Sequence, residues 1–175
     1  EQYVGASFIN EHINLDGAES SDNYAATLNY GITLRRTDND LNPTRGYLFN
    51  AQLAGAPVAA LSNGSFLQSY LKLQTYYPIT QSTQLITRGE LGMVNGKNSA
   101  PAAFLFRAGG DQSVRGYAYQ SLGITEGDAT VGARYLLTGS VEVVQWLTDN
   151  WGAAVFVDAG NAANAWKSLN PTISR

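Results

Sequence analysis

The chain has 175 residues, enough for one domain with a core, and a formal net charge of −3 from 14 acidic and 11 basic residues. This mildly acidic balance, with no basic run longer than Arg35-Arg36, argues against a nucleic-acid partner. The chain contains no cysteine, which excludes a disulfide framework and a thiolate metal site.

Polar and apolar residues alternate along most of the chain, and this period predicts strands. The clearest case is 24–36, where Tyr24, Leu28 and Ile32 share one face with the alanine and tyrosine between them. An amphipathic helix would group apolar residues at i, i+3 and i+4, which this segment does not do. No apolar run approaches the ~20 residues that a spanning helix needs. Transmembrane β-strands escape that test because only every second residue faces lipid.

The alternation predicts seven strands, each near the ~9–11 residues that cross an outer membrane when tilted. We expect Asn161–Arg175 to be a loop that ends without a further complete strand. The predicted strands are Tyr3–Asn10, Tyr24–Arg36, Tyr47–Gly55, Phe66–Tyr77, Thr83–Val94, Tyr135–Trp146 and Trp151–Gly160.

The connections between these strands alternate between short and long. Short turns are expected at Asp38–Pro43, Pro78–Ser82 and Leu147–Asn150, whereas about 95–134 forms one long loop. Short turns on one side and long loops on the other are typical of outer-membrane barrels. A loop this long within a domain is usually functional. The only histidine, His12, is expected in a polar loop near the start.

In most of the predicted strands one face is aliphatic, often with an aromatic residue at the strand end, and the other face is polar or charged, whereas the facing of Tyr3–Asn10 is ambiguous. Aromatic rings at two heights are typical of a membrane interface. A soluble β-sandwich also explains the alternation, but it gives no reason for this division. The residues expected to face lipid are Leu28, Tyr30, Ile32, Leu71, Leu73, Val141, Val143, Val155 and Val157. Those expected to face the concave side are Arg35, Lys72, Gln74, Arg88, Glu90, Glu142 and Asp158.

No motif for catalysis or for a metal emerges. A serine or cysteine triad has no persuasive base, because His12 is the only histidine. Asp158-Ala159-Gly160 has a faint likeness to an aspartic-protease motif, but such enzymes need two carboxylates and no second copy occurs. We therefore expect a protein that is not an enzyme, with no catalytic residue, metal ligand or cofactor.

The long loop contains the most specific motif, Gly109-Gly110 followed by Val114-Arg115-Gly116-Tyr117. Paired glycines permit a tight turn with positive φ, and Gly116 lets Arg115 project. An ordinary surface loop with a solvated arginine is the simplest interpretation. The segment nevertheless resembles the VRGY loop signature of the BamA/TamA superfamily of outer-membrane assembly and translocation barrels, most closely its TamA branch.

Three further motifs resemble this superfamily. Pro43-Thr44-Arg45-Gly46 resembles its periplasmic-turn pattern, and 139–142 and 156–160 resemble two motifs of its barrel wall. The resemblance implies an antiparallel up-and-down transmembrane β-barrel of sixteen strands. Residues 1–175 would form about seven of them, as part of a C-terminal barrel without its POTRA domains and closing strands.

The resemblance also implies a contact inside the barrel. In the family, the long loop folds back into the lumen and its arginine meets acidic residues of the wall, so Arg115 would pair with Asp158 with Glu142 nearby. Strand parity independently puts both acids on the polar face. Arginine suits such a contact because its planar fork can grip a carboxylate through two hydrogen bonds.

The resemblance implies a protein of the Gram-negative outer membrane that assists insertion or secretion of outer-membrane proteins such as autotransporters. The implied partners are outer-membrane lipid, unfolded clients and a TamB-like protein anchored in the inner membrane. A BamA-type insertase and a two-partner secretion transporter are alternatives within the superfamily. A passive pore, or a surface protein that acts through its outer loops, would be of another class.

Overall fold

The computed structural model describes residues 1–13, 21–57, 61–96 and 100–174. Within these ranges almost every regular element is a strand, and the helical segments are short 3-10 turns such as Ala102–Phe104. The strands are β1 Gln2–Ile13, β2 Ser21–Thr37, β3 Gly46–Ala56, β4 Phe66–Pro78, β5 Thr83–Gly96, β6 Ile124–Glu126, β7 Ala129–Val131, β8 Tyr135–Trp146, β9 Gly152–Ala163 and β10 Thr172–Ser174.

Eight of these strands form one antiparallel sheet in the order β1-β2-β3-β4-β5-β8-β9-β10. Each strand therefore pairs with its neighbour in the chain, apart from the hairpin of β6 and β7, which forms a separate pair within the long loop. The predicted all-β antiparallel up-and-down fold is confirmed. Among the described residues, no helix is long and apolar enough to span a membrane.

All seven predicted strands are present, and most extend one to three residues beyond their predicted ends. The prediction that Asn161–Arg175 is only a loop is wrong in part, because β9 continues to Ala163 and β10 adds a short eighth strand. A strand of three residues cannot display a period of two, so only its pairing with β9 reveals it. His12 lies in β1 opposite Asp22, and the prediction of a polar loop there is wrong.

The register aligns the aliphatic faces of neighbouring strands. Leu71 lies opposite Ala51 on one side and Leu91 on the other, and Val141 lies opposite Val157. Of the nine residues expected to face lipid, seven are exposed, while Ile32 and Val143 are half-buried. Because residues directly opposite one another share a face, these side chains form one continuous apolar surface.

The other face carries the charged side chains. Lys72 lies opposite Glu90, and the Lys72 Nζ is 2.9 Å from the Glu90 carboxylate. Gln74 lies opposite Arg88, and Ser140 lies opposite Asp158. From β4 to β9 the charged side chains therefore lie on one side of the sheet, as the alternation predicts, whereas Arg36 and the His12–Asp22 pair lie on the apolar side of β1 and β2.

The long loop covers part of this charged face, and the buried core lies between the loop and the sheet. We call the eight-stranded sheet the wall. The loop contributes Phe104, Phe106 and Val114 to this core, and the wall contributes Phe66 and Leu136. In the described ranges the core is thus formed by one sheet and a loop, not by two facing sheets. This arrangement differs from the β-sandwich considered as an alternative.

Spin labels on the two faces should differ in their access to oxygen. In the membrane-inserted protein, labels at Leu71, Val141 and Val155 should be relaxed by dissolved oxygen more strongly than labels at Asn50 and Gln74, because oxygen concentrates in the hydrocarbon that bathes the apolar face. Power-saturation EPR measures the difference. Equal oxygen access at the two sets would contradict the assignment of the faces.

Candidate functional site

The inner end of the long loop is a compact, hydrogen-bonded structure. It is closed by a β-bridge in which Ala108 N donates to Leu122 O at 2.8 Å and Leu122 N donates to Ala108 O at 2.9 Å. Inside the bridge, Gly110 N donates to Tyr117 O at 3.0 Å. Val114 is fully buried and Tyr117 packs against the same core, so both residues flanking Arg115-Gly116 are seated in the protein.

Three glycines of this segment have a positive φ that other residues rarely adopt, and Gly110, at +97°, is one of them. Gly109 has φ of +106°, and a Cβ there would lie 2.4 Å from Ala118 O. Gly116 has φ of +85°, and a Cβ there would lie 2.7 Å from Ser174 Oγ of β10. Both backbone conformation and close contact therefore require glycine. The turn that results directs the Arg115 backbone and side chain toward the wall.

Arg115 grips the carboxylate of Asp158 on β9 through three hydrogen bonds. Nε donates to Oδ2 at 2.7 Å, Nη2 donates to Oδ1 at 2.9 Å, and the Arg115 backbone N also donates to Oδ2 at 3.0 Å. The remaining terminal nitrogen, Nη1, donates to Glu142 of β8. The structure therefore brings together the three residues that the resemblance implied.

Two more wall residues complete the surroundings of the guanidinium. Arg115 Nη2 donates to Ser140 Oγ at 3.1 Å, and Arg115 Cζ lies 3.6 Å from the centroid of the Phe156 ring. Ser140 lies opposite Asp158, and Glu142 lies opposite Phe156. The four residues thus form a square on two adjacent strands, with the guanidinium over it. An arginine over an aromatic face adds a cation–π attraction.

The sequence places Ser140 and Phe156 within the two barrel-wall motifs, but it does not predict them as residues of the site. The period of two along each strand is the signal that could have identified them. Each lies two positions from an acid, Glu142 or Asp158, and therefore on the same face of its strand. What the period does not give is the register of β8 against β9, which aligns the two pairs.

Burial makes the Arg115–Asp158 contact energetically important. Asp158 is fully buried, and an ionised carboxylate removed from water is costly unless it is paired and hydrogen-bonded. Hydrogen bonding to Asp158 in turn raises the pKa of the Arg115 guanidinium above its ordinary value, so the arginine stays charged. Breaking such a pair by removing one partner costs about 3–5 kcal/mol, because the other charge is left buried alone.

The second predicted motif lies in the turn between β2 and β3, at the short-turn end of the sheet. The Asp38 carboxylate accepts hydrogen bonds from Thr44 N at 2.9 Å, Thr44 Oγ1 at 2.5 Å and Arg45 N at 3.0 Å. The hydrogen bond from the Thr44 hydroxyl, followed by that from the Arg45 backbone, lowers the Asp38 pKa to about 2. Asp38, which sequence reasoning placed only as turn chemistry, thus organises the motif.

The same turn also contacts the charged face of the sheet. Gln84 of β5 donates from Nε2 to the Pro43 carbonyl at 2.7 Å, so the turn leans across β3 and β4 toward β5. Gly46 has φ of +121°, and a Cβ there would lie 2.0 Å from Arg36 O. The Arg45 side chain is exposed. Pro43, Thr44 and Gly46 therefore have structural contacts of their own, separate from the Arg115 site.

The chemical capacity of the Arg115 site is electrostatic. The Arg115 guanidinium contacts two carboxylates, a hydroxyl group and an aromatic ring. Together these contacts hold the loop against β8 and β9. The arrangement can fix the loop in position and couple its movement to two wall strands.

Arg115→Ala and Asp158→Ala should each destabilise the docked loop by about 3–5 kcal/mol, because each leaves a buried or half-buried charge unpaired. The double variant should be little worse than either single variant, because both remove one interaction. Equilibrium unfolding in urea measures the free energy of unfolding of the two single variants and the double variant in the membrane-inserted protein. Arg107→Ala is the matched control, because this exposed arginine of the same loop makes a single side-chain hydrogen bond within the described ranges, to Thr130 O at 3.2 Å. Single effects that simply add would show that Arg115 and Asp158 do not act as a pair.

Asp38→Ala should raise amide exchange at Thr44 and Arg45, because it removes the acceptor of both backbone N–H groups. Since the folded pKa of Asp38 is depressed, its stabilising effect is full above the ordinary aspartate pKa and is lost as pH falls through about 2. Hydrogen–deuterium exchange, expressed as protection relative to the unfolded chain, measures both effects. Asp40→Ala is the control in the same turn, and an equal loss of protection there would contradict the assignment.

Comparison with known proteins identifies the family. A model of the Omp85 superfamily domain matches residues 2–173. The outer membrane protein assembly factor BamA of Neisseria meningitidis serogroup B is 33% identical over 129 residues, which are 67% of this chain and 15% of that protein.

A solved structure shows the same fold. The crystal structure of BamA from Haemophilus ducreyi lacking POTRA domains 1-3 superposes with a TM-score of 0.73 at 22% identity, over 89% of this chain and 34% of that one. The chain thus spans only a minor part of each of these two proteins. Because the family model covers nearly the whole chain, the chain belongs to the Omp85 superfamily.

Proposed function

We propose that this chain is a wall segment of a barrel that assists the insertion or secretion of outer-membrane proteins. The observation that carries the proposal is the long loop docked on the charged face, with Arg115 bound to Asp158 and Glu142 on two adjacent strands. A relative with 33% identity is named an outer membrane protein assembly factor, which supports the proposal. The role is non-enzymatic: the site fixes a loop and carries out no reaction.

The chain is located in the cell outer membrane of a Gram-negative bacterium, as are the Omp85 proteins that it resembles. We propose that its seven full strands belong to a sixteen-stranded barrel with POTRA domains and closing strands elsewhere. Strand β10 supports this extension, because Thr172–Ser174 begins to pair with β9 in the way that a following wall strand would. The apolar face would contact lipid, and the charged face would line the lumen.

The docked loop favours this role over a passive pore. A pore for small solutes needs an open, wet lumen, and charged wall residues there would be solvated. Here Asp158 is fully buried under the loop, and Phe104 and Phe106 form an apolar contact with the wall. A lumen that holds a buried, ion-paired loop on its wall is suited to controlling the position of strands.

Within the superfamily, we propose a TamA-type barrel that handles autotransporters with a TamB-like partner anchored in the inner membrane. The loop and turn motifs, Arg115 with its glycines and Pro43–Gly46, motivate this choice. A BamA-type insertase is the nearest alternative, since the two similar proteins described above are BamA proteins. A two-partner secretion transporter is a further alternative.

Depletion of the complete protein that contains this chain should lower the amount of folded outer-membrane client. Restoring the wild-type protein should recover client levels. The Arg115→Ala variant should recover them several-fold less well, because destabilising the docked state of the loop by about 3–5 kcal/mol shifts the loop toward its undocked state. Heat-modifiable migration of client barrels on gels measures folding. Arg107→Ala should restore fully and serves as the control.

Three outcomes separate the alternatives. Normal client levels combined with altered uptake of a chromogenic β-lactam would favour the passive pore. Loss confined to autotransporters, with co-purification of an elongated inner-membrane protein, would support the TamA-type role. A general loss of barrel proteins would support the BamA type instead.

A further inference from the structure

A second contact between the long loop and the wall lies on different strands from the Arg115 site. The Phe106 ring points at the backbone of Gly92 on β5, so that a Cβ built on Gly92 would lie 2.7 Å from Phe106 Cζ and 2.8 Å from each Cε. These separations are well below van der Waals contact, and the ring therefore occupies the space that any side chain at this position would need. Phe106 is buried.

The base of the Phe106 side chain is held in place by the loop itself. Phe106 N donates to Ala133 O and Ala133 N donates to Phe106 O, both at 2.8 Å, and Ala133 is fully buried. This bridge joins the two limbs of the loop. Because the backbone is fixed on both sides, the ring cannot easily withdraw from Gly92.

Neighbouring contacts extend this apolar attachment along β4. The Phe106 ring stacks on Tyr70, with centroids 6.2 Å apart and planes at 24°. Phe104 meets Phe66 with centroids 4.8 Å apart, and Gln68 Nε2 donates to Phe104 O at 2.8 Å. Such aromatic pairs add attraction beyond the area that they bury.

Two nearby glycines of the wall have no such contact. Gly89, three residues before Gly92 on β5, lies on the apolar face, and a Cβ there would meet only Thr138 O at 4.0 Å. Gly139, opposite Gly89, has nothing within 4 Å. Gly31 is also covered by a ring, that of Tyr3 on the neighbouring strand, but among the described wall glycines Gly92 is the one whose Cβ position is occupied by a side chain of the long loop.

We infer that Phe106 and Gly92 are positioning residues that attach the loop to β4 and β5 independently of Arg115. In this arrangement the aromatic attachment fixes the N-terminal limb of the loop against β4 and β5. The ion pair fixes the position of Arg115, at the tip of the loop, against β8 and β9. Arg88 Nη2 donates to Ser113 O at 3.2 Å between the two attachments. The consequence for client assembly rests on the proposed function, whereas the attachment itself does not.

The test measures loop docking directly, through the reactivity of a buried thiol. Val114→Cys introduces the thiol at a fully buried loop position, in the complete membrane-inserted protein with any cysteine outside these 175 cysteine-free residues replaced by serine. In this background Gly92→Ala should raise the rate of maleimide labelling at least about tenfold, because a Cβ forced into occupied space displaces the loop. Gly89→Ala, the same change on the same strand, should leave the rate unchanged.

A size-compensating pair distinguishes positioning from a general loss of stability. Phe106→Leu shortens the side chain at the point of contact, so Gly92→Ala combined with Phe106→Leu should label more slowly than Gly92→Ala alone. Phe106→Ala introduces no clash and should by itself increase the rate of labelling. This variant replaces Gly92→Ala as the test if the Gly92→Ala protein does not insert into the membrane. Gel migration of the unheated protein verifies that each variant forms a barrel.

The outcomes for the two proposals are separable. Equal labelling of the Gly92→Ala and Gly89→Ala variants, or no effect of Phe106→Ala, would overturn the attachment whatever happens to client levels. Fast labelling in Gly92→Ala with normal client levels would support the attachment and contradict the role of the docked loop in assembly. Fast labelling with low client levels supports both.

Discussion

The buried carboxylate of Asp158 is the constraint on which the arrangement of loop and wall depends. A carboxylate on a strand that is covered by protein must be neutralised or hydrogen-bonded, and its own strand supplies no cation. Arg115 supplies the charge and three N–H groups, including its own backbone N. Since that backbone N–H also takes part, the loop must approach Asp158 with its main chain as well as its side chain. This requirement explains the glycines on either side of Arg115.

The loop is held by two kinds of force on two pairs of strands. Phe104 and Phe106 make apolar contacts with β4 and β5, and Arg115 makes ionic contacts with β8 and β9. Apolar contacts are non-directional and tolerate small shifts, whereas a bidentate ion pair tolerates few. A sliding movement between β5 and β8 would therefore strain the ion pair first, which makes the loop responsive to the relative position of adjacent wall strands.

Most of the fold could be predicted from the sequence, because the period of two is dictated by the pleat and a one-residue slip would move every apolar side chain to the opposite face of the sheet. The faces of Leu71, Lys72 and Val141 follow from this rule. β10 and the β6–β7 hairpin could not be predicted, since three residues do not establish a period. The pairing of Arg115 with Asp158 came from resemblance to a family, while the Phe106–Gly92 contact depends on where the loop lies and leaves no periodic trace in the sequence.

The division of the two faces also bears on the proposed role of the docked loop in assembly. On the apolar face the side chains meet hydrocarbon, which makes no directional demand on them. On the charged face Lys72 is already neutralised by Glu90, and the Asp158 and Glu142 carboxylates are bound by one arginine of the loop. Removing the loop would uncover two carboxylates and an apolar patch together, so displacement is costly and requires a compensating contact. An arriving polypeptide that covers the same wall could supply it, whereas a small solute could not.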